Sequence, residues 1–309
     1  MKRSVTEIIR RGFDSAVANW PLMLIRIAEG VFFVMIAVGA VVAVVVPLAV
    51  SIGLSKIDFE SVAVPPEFIL QLLRQHWLVL VYIAVLVTVL LIVYVAIHSF
   101  VQAGAAHVLA SAERNAGRLA VPRDGLRSFT MDRWLSGGRQ SWWAVFLIYN
   151  LAWAAASLVI LLPLIVILVL MIFLRDSPLV VVFACGSVAI TLLLALVVSV
   201  LTHVWTEKAI ALEALRRSGA SDSLAEGWSE MWSDFGRHFA VAFIMLVITI
   251  GGSAFIASLS MVFSFPFGDN AMMSLAFSPL RLVLSLVSTA FSAAMASWLL
   301  ASFVALSAE

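Results

Sequence analysis

Charged side chains fall in clumps along this chain. Between them lie six uncharged stretches, 30–55, 75–112, 140–174, 177–206, 238–268 and 282–308. Crossing a bilayer takes ~20 apolar residues, because the hydrocarbon core is about 30 Å thick and a helix rises 1.5 Å per residue. Each stretch is long enough, with cores Val31 to Ile52, Trp77 to Phe100, Trp142 to Phe173, Leu179 to His203, Phe239 to Phe263 and Leu282 to Leu306. Backbone groups in lipid must bond within their own segment, so each core is expected to be a helix. The pattern therefore predicts an all-α polytopic membrane protein with six transmembrane helices arranged as three hairpins. Pro163 interrupts the third run, and only Arg175 and Asp176 separate it from the fourth, which reads as a tight turn.

The first apolar run opens at Trp20 but carries Arg26 and Glu29. Either charge would cost roughly 2.5–3.5 kcal/mol at a helix centre and much less near an end. They are expected at the membrane interface, three residues apart on one helix face, as an ion pair. The length of this run and the polar segment before it read as a retained anchor rather than a cleaved leader.

Polar–apolar alternation at helical spacing marks further elements. Val5, Ile8, Ile9, Phe13, Val17 and Trp20 form one stripe, opened by Ser4 and Glu7 in a capping-box arrangement. Leu224, Trp228, Met231, Trp232, Phe235 and Phe239 form another, with Ser223 and Glu226 in the same relation. A weaker stripe runs through Leu126, Phe129 and Trp134. Such amphipathic helices lie in the headgroup plane, which places Arg10, Arg11, Trp228 and Trp232 at the lipid surface. Ala116-Gly117 and Ser218-Gly219 end the stretches after spans two and four, where glycine suits a left-handed helix cap. The chain thus reads as a single integral membrane domain, 1–309, built from repeats 1–101, 102–204 and 205–309. Outside the membrane, Pro65-Pro66 is expected to start a short helix on the outer leaflet, and the apolar 265–279 loop to dip into it.

Composition sharpens this picture. Of 309 residues, 63% are hydrophobic and 12% charged, against roughly 45–50% and about 25% in soluble domains. A soluble fold, a nucleic-acid binder and a disulfide-stapled module are excluded. Cys185, the single cysteine, reads as a small packing residue. The net charge of +1 is uninformative, but its distribution is not. Fifteen of the 19 Lys and Arg lie in the N-terminal segment and the 102–141 and 204–238 loops. The positive-inside rule makes that side, with both termini, cytoplasmic.

The R-R-G-F of residues 10–13, the A-E-G-W of 225–228 and six spans in three hairpins resemble a broad group of bacterial and archaeal membrane proteins. That group is similar to the membrane domain attached to some glycerophosphoryl diester phosphodiesterases. The resemblance implies a bacterial inner membrane. The phosphodiesterase chemistry of the fused proteins belongs to a separate barrel domain, so no catalytic residue carries over.

Candidate chemistry is sparse. No metal-binding H-E-x-x-H, nucleophile elbow or phosphate-cradling glycine loop occurs, and no enzyme activity, metal or cofactor is expected. His203 and Glu207 share a helix face at the end of span four, and His98 ends span two. These would form a polar site if the helices touch, or simply bond to backbone and water at the interface. Asn150 is the notable polar residue within a span, read as a transport-site candidate or an interhelical hydrogen bond. Small residues at Gly39 and Ala43, at Gly251 to Ala254, and at Ser285, Ser288, Ser292 and Ala296 allow close helix packing, within the chain or between copies. The expected partners are membrane lipids and a second membrane protein or copy. The leading expectation is a scaffold, accessory subunit or lipid-organising component. A small-solute transporter and a membrane-embedded lipid-modifying enzyme are the alternatives.

Overall fold

The computed structural model describes residues 2–52, 77–117, 122–173, 180–264 and 278–309. The expected outer-leaflet helix after Pro65, the turn at Arg175 and Asp176, and the 265–277 part of the apolar loop lie outside these. The described residues form eight α-helices: α1 (Val5–Ala18), α2 (Pro21–Ile52), α3 (Trp77–Ala116), α4 (Met131–Phe173), α5 (Val180–Arg216), α6 (Ala220–Ser233), α7 (Phe235–Ser264) and α8 (Ser278–Ser307). A 3-10 turn, Arg123–Leu126, precedes α4. Helices α2, α3, α4, α5, α7 and α8 are each long and apolar enough to cross a membrane. The protein is an all-α, six-span membrane protein.

Three helices are much longer than a bilayer requires. α3, α4 and α5 have 40, 43 and 37 residues, which is about 55–65 Å of helix against ~30 Å of hydrocarbon. Their excess lies at 99–116, 131–141 and 202–216. Burial changes where the excess begins. Leu158, Ile190 and Leu192 are 70%, 68% and 66% exposed, which suits lipid and would be costly in water. By contrast Val108, Leu109, Ala209, Ile210 and Leu212 are at most 1% exposed. Pro163 sits inside α4, which runs through it without a break in assignment.

The chain divides into two compact units, Met1–Ile27 with Ser99–Glu309, and Ala28–His98. In the smaller unit the two helices meet through Phe33 and Tyr94, whose rings pack edge to face at 4.2 Å. In the larger, α4 packs on α5, α7 on α8, and α8 on α5. The amphipathic helices dock onto these: α1 onto α8, and α6 onto α4 and α5. α1 approaches closely because residue 12 is glycine; a Cβ there would fall 2.8 Å from Ser302 Cα. The indole of Trp298 donates to the Ile9 carbonyl at 2.8 Å and meets Phe13 edge to face.

Helix ends follow the sequence reading at some positions and depart from it at others. Ser4 and Glu7 form the expected capping box, and its hydrogen bonds hold the Glu7 carboxyl below the ordinary carboxylate range. Ser223 and Glu226 do not start α6, which begins three residues earlier with Gly219 as its cap (φ 90°). Ser223 Oγ instead donates to Glu213 at 3.2 Å, and Glu226 pairs with Arg216. Gly117 adopts the expected left-handed conformation (φ 63°), but after α5 that place is taken by Arg217 (φ 55°) rather than a glycine. The weak third amphipathic stripe is no separate helix. Its first part is the 3-10 turn, and Trp134 already belongs to α4. The reason is Asn19, which is fully buried. Its Oδ1 accepts from the Ser128 and Phe129 amides at 2.8 Å and its Nδ2 donates to the Leu126 carbonyl, holding that backbone in a non-helical course.

Candidate functional site

The polar chemistry of the larger unit is concentrated where the long helices outrun their apolar shafts. Ionised groups taken from water destabilise a fold unless they meet partners, and here they do. Glu113, near the end of α3, is 4% exposed. It accepts from Arg3 Nη1 at 2.7 Å and Arg11 Nε at 2.8 Å. Both guanidinium groups also donate to the Gly117 carbonyl. The negative end of α3 is thus neutralised by another element.

Glu213 occupies the matching place on α5, four residues before a left-handed residue, and is also 4% exposed. Its donors are neutral: the Gly219 amide at 2.8 Å and the hydroxyls of Ser141 and Ser223 at 3.3 and 3.2 Å. One turn earlier, Lys208 is 1% exposed and pairs with Glu230 of α6 at 2.6 Å. Burial works to raise the Glu230 carboxyl, but the hydrogen bond and charge of Lys208, with Arg216, outweigh it and hold it below the ordinary range. Hydrogen bonds from Lys2 and Arg237 hold Asp234 low in the same way. Arg237 further bonds Glu309, tying the 2–3 segment, the start of α7 and the end of α8 together.

Arg26 and Glu29, expected to pair with each other, take different partners. Arg26 donates to Gln102 Oε1, and the Gln102 amide donates onward to both Glu207 oxygens at 3.2 and 3.3 Å. In the smaller unit, Glu29 lies 2.7 Å from His98 Nδ1, and the His98 ring stacks on Tyr94. A surface i,i+3 pair contributes only about 0.2–0.5 kcal/mol, so buried partners prevail. His203 is exposed on α5, whereas Glu207 is buried with Gln102. Asn150 is exposed, and its amide donates to the Phe146 carbonyl of its own helix at 2.7 Å, not across helices.

Of the residues assigned to the lipid surface, Arg10 is exposed and Arg11 is committed to Glu113. Trp228 and Trp232 are 44% and 48% exposed. They are the second and third rungs of a continuous aromatic ladder, Trp205, Trp228, Trp232, Phe235, Phe239 and Phe243, with neighbouring ring centroids 5.0 to 6.0 Å apart. The ladder runs from α5 across α6 onto α7, with its tryptophans at the end where amphipathic indoles suit the boundary between water and lipid.

Glu113, Glu213, Lys208, Gln102 and Asn19 were not singled out from sequence. Their signal was alanine: Ala103, Ala105, Ala106, Ala110 and Ala112 on α3, and Ala209, Ala211 and Ala214 on α5, all buried. An alanine-rich stretch with isolated charges reads as solvated helix, yet small side chains also let helices close around those charges. Among the described residues no group of three His, Cys, Asp or Glu side chains could hold a metal ion.

The fold defines an integral membrane protein, and in its larger unit the buried polar groups among the described residues form a packed platform where the long helices outrun their apolar shafts. Compared with known proteins, the chain matches no family description, no curated protein and no solved structure.

Proposed function

We propose that this protein is a non-catalytic membrane scaffold or accessory component, with the packed platform on the cytoplasmic side of a bacterial inner membrane. The observation that carries this reading is how the buried charges are used. Glu113, Lys208, Glu207 and Arg26 are each bonded to groups on another element. The buried side-chain atoms left without a partner among the described residues are Arg26 Nε, Trp134 Nε1, Arg237 Nε and His238 Nε2. Polar groups saturated by one another rigidify a structure, whereas a carrier keeps polar groups for its solute. The exposed aromatic ladder and the lipid-facing shafts supply the surfaces through which such a component would touch lipids, a membrane-protein partner or another copy.

The test is extraction of the intact chain in native lipid nanodiscs, followed by native mass spectrometry and solute-flux assays in proteoliposomes. A scaffold co-isolates with a stoichiometric membrane partner, a second copy or a defined lipid set, and leaves the vesicles tight. A lone chain without retained lipid that makes vesicles permeable to a small solute would overturn the reading in favour of a carrier.

A further inference from the structure

Among the described arginines that meet no carboxylate, three lie close together. Arg114 (α3), Arg133 (α4) and Arg217 (just after α5) all lie within electrostatic range of His107. The elements carrying them interlock there. Gly137, one turn after Arg133, packs directly against His107 Cβ, and Arg114 donates to the Leu215 carbonyl at 3.4 Å. Arg133 donates to the Ser128 carbonyl, and Ser111, whose hydroxyl donates to the His107 carbonyl, accepts from Arg114 at 3.5 Å. Every acceptor these three guanidinium groups meet among the described residues is neutral. Elsewhere on the platform, Arg3, Arg11, Arg216 and Arg237 each meet a carboxylate.

Like charges held together without a counter-ion repel, and clustered planar guanidinium forks match the oxygens of phosphate. A second observation points the same way. Arg217 holds a left-handed backbone, φ 55°, at a helix end where glycine is free of strain. The strained backbone leaves an exposed guanidinium beside the cluster. We propose that Arg114, Arg133 and Arg217 form a binding site for a phosphate-type oxyanion.

Its height favours a water-soluble molecule. Arg114 follows Phe100 by fourteen residues, about 21 Å of helix. Arg133 precedes Trp142 by nine, about 13 Å. The headgroup layer is only about 5–8 Å deep on each side. This inference goes beyond the scaffold reading and does not depend on it.

Thermal unfolding of the intact chain in a neutral maltoside detergent tests it, at constant ionic strength, with inorganic phosphate in one arm and phosphatidylglycerol in the other. Millimolar phosphate is expected to raise Tm by at least about 3 °C. That shift should vanish in Arg217→Gly and in the double variant Arg114→Gln, Arg133→Gln. Arg217→Gly removes the charge while relaxing the backbone, so its silence cannot come from a failure to fold. The double variant Arg123→Gln, Arg127→Gln, with equal loss of charge, should keep the shift. Protection by phosphatidylglycerol alone, lost in the same variants, would assign the oxyanion to a lipid headgroup. No shift in either arm, or an undiminished shift in Arg217→Gly, overturns the site.

Discussion

The ends of α3 and α5 pose the same problem and solve it differently. Each buries a glutamate four residues before a left-handed turn, at Glu113 and Gly117 and again at Glu213 and Arg217. Each receives the N-terminal end of an amphipathic helix. α1 brings Arg3 and Arg11, so the first site is an ionic knot; α6 brings the Gly219 amide and Ser223, so the second is a hydrogen-bonded one. The difference teaches what each site would lose. Neutralising Glu113 takes the carboxylate from two partly buried cations, 14% and 10% exposed, whereas neutralising Glu213 only weakens hydrogen bonds to neutral donors.

The largest effect should therefore come from Glu113→Gln. Breaking a buried ion pair by removing one partner costs about 3–5 kcal/mol, readable as a fall in stability in SDS titrations followed by tryptophan fluorescence. An effect under about 1 kcal/mol would place Glu113 with surface pairs. Next comes Glu230→Gln, an intermediate case. It strands Lys208, which is 1% exposed, but Glu230 itself is 33% exposed, so solvent reduces the loss to about 2 kcal/mol. Glu213→Gln should cost about 1–2 kcal/mol, the worth of hydrogen bonds to a charged acceptor less those an amide keeps. A loss equal to that of Glu113→Gln would erase the distinction between the two helix ends.

Acid tests the ion pairs around α6 in a second way. Glu230 and Asp234 sit below their ordinary values in the folded chain. The stability they add is complete above the unfolded values, about 4. It is lost as pH falls through the lower folded values. Stability measured through this window should decline less steeply in Glu230→Gln than in the wild type. The smallest effect is expected from Arg123→Gln, since its pairing with Asp14 is exposed at 51% and 28%; about 0.5 kcal/mol or less, diminishing with salt, marks the surface baseline.

The shafts were legible in the sequence because lipid admits no charge, and gaps between charges map directly onto helices α2, α3, α4, α5, α7 and α8. The capping box at Ser4 was legible because both partners lie within one turn. The same pattern at Ser223 misled, since its serine is claimed by Glu213 ten residues away in sequence and one helix away in space. Periodicity reports which face of a helix is apolar. It does not report that an alanine-rich extension will be enclosed on every side, as Glu113 and Lys208 are. Asn19 was equally silent, because a lone asparagine before an apolar run looks like a helix boundary and its four hydrogen bonds arise only in the folded chain.

The account rests on charge pairing between helices as the agent that holds the platform together, and a double-mutant cycle across Glu113 and Arg11 measures it most directly. With Glu113→Gln, Arg11→Gln and the double variant compared in the same unfolding assay, the two side chains should couple by about 1.5–3 kcal/mol. Losses that add within about 0.5 kcal/mol would mean that the two groups, 2.8 Å apart, do not act on each other, and the ionic knot would be no part of what stabilises this protein.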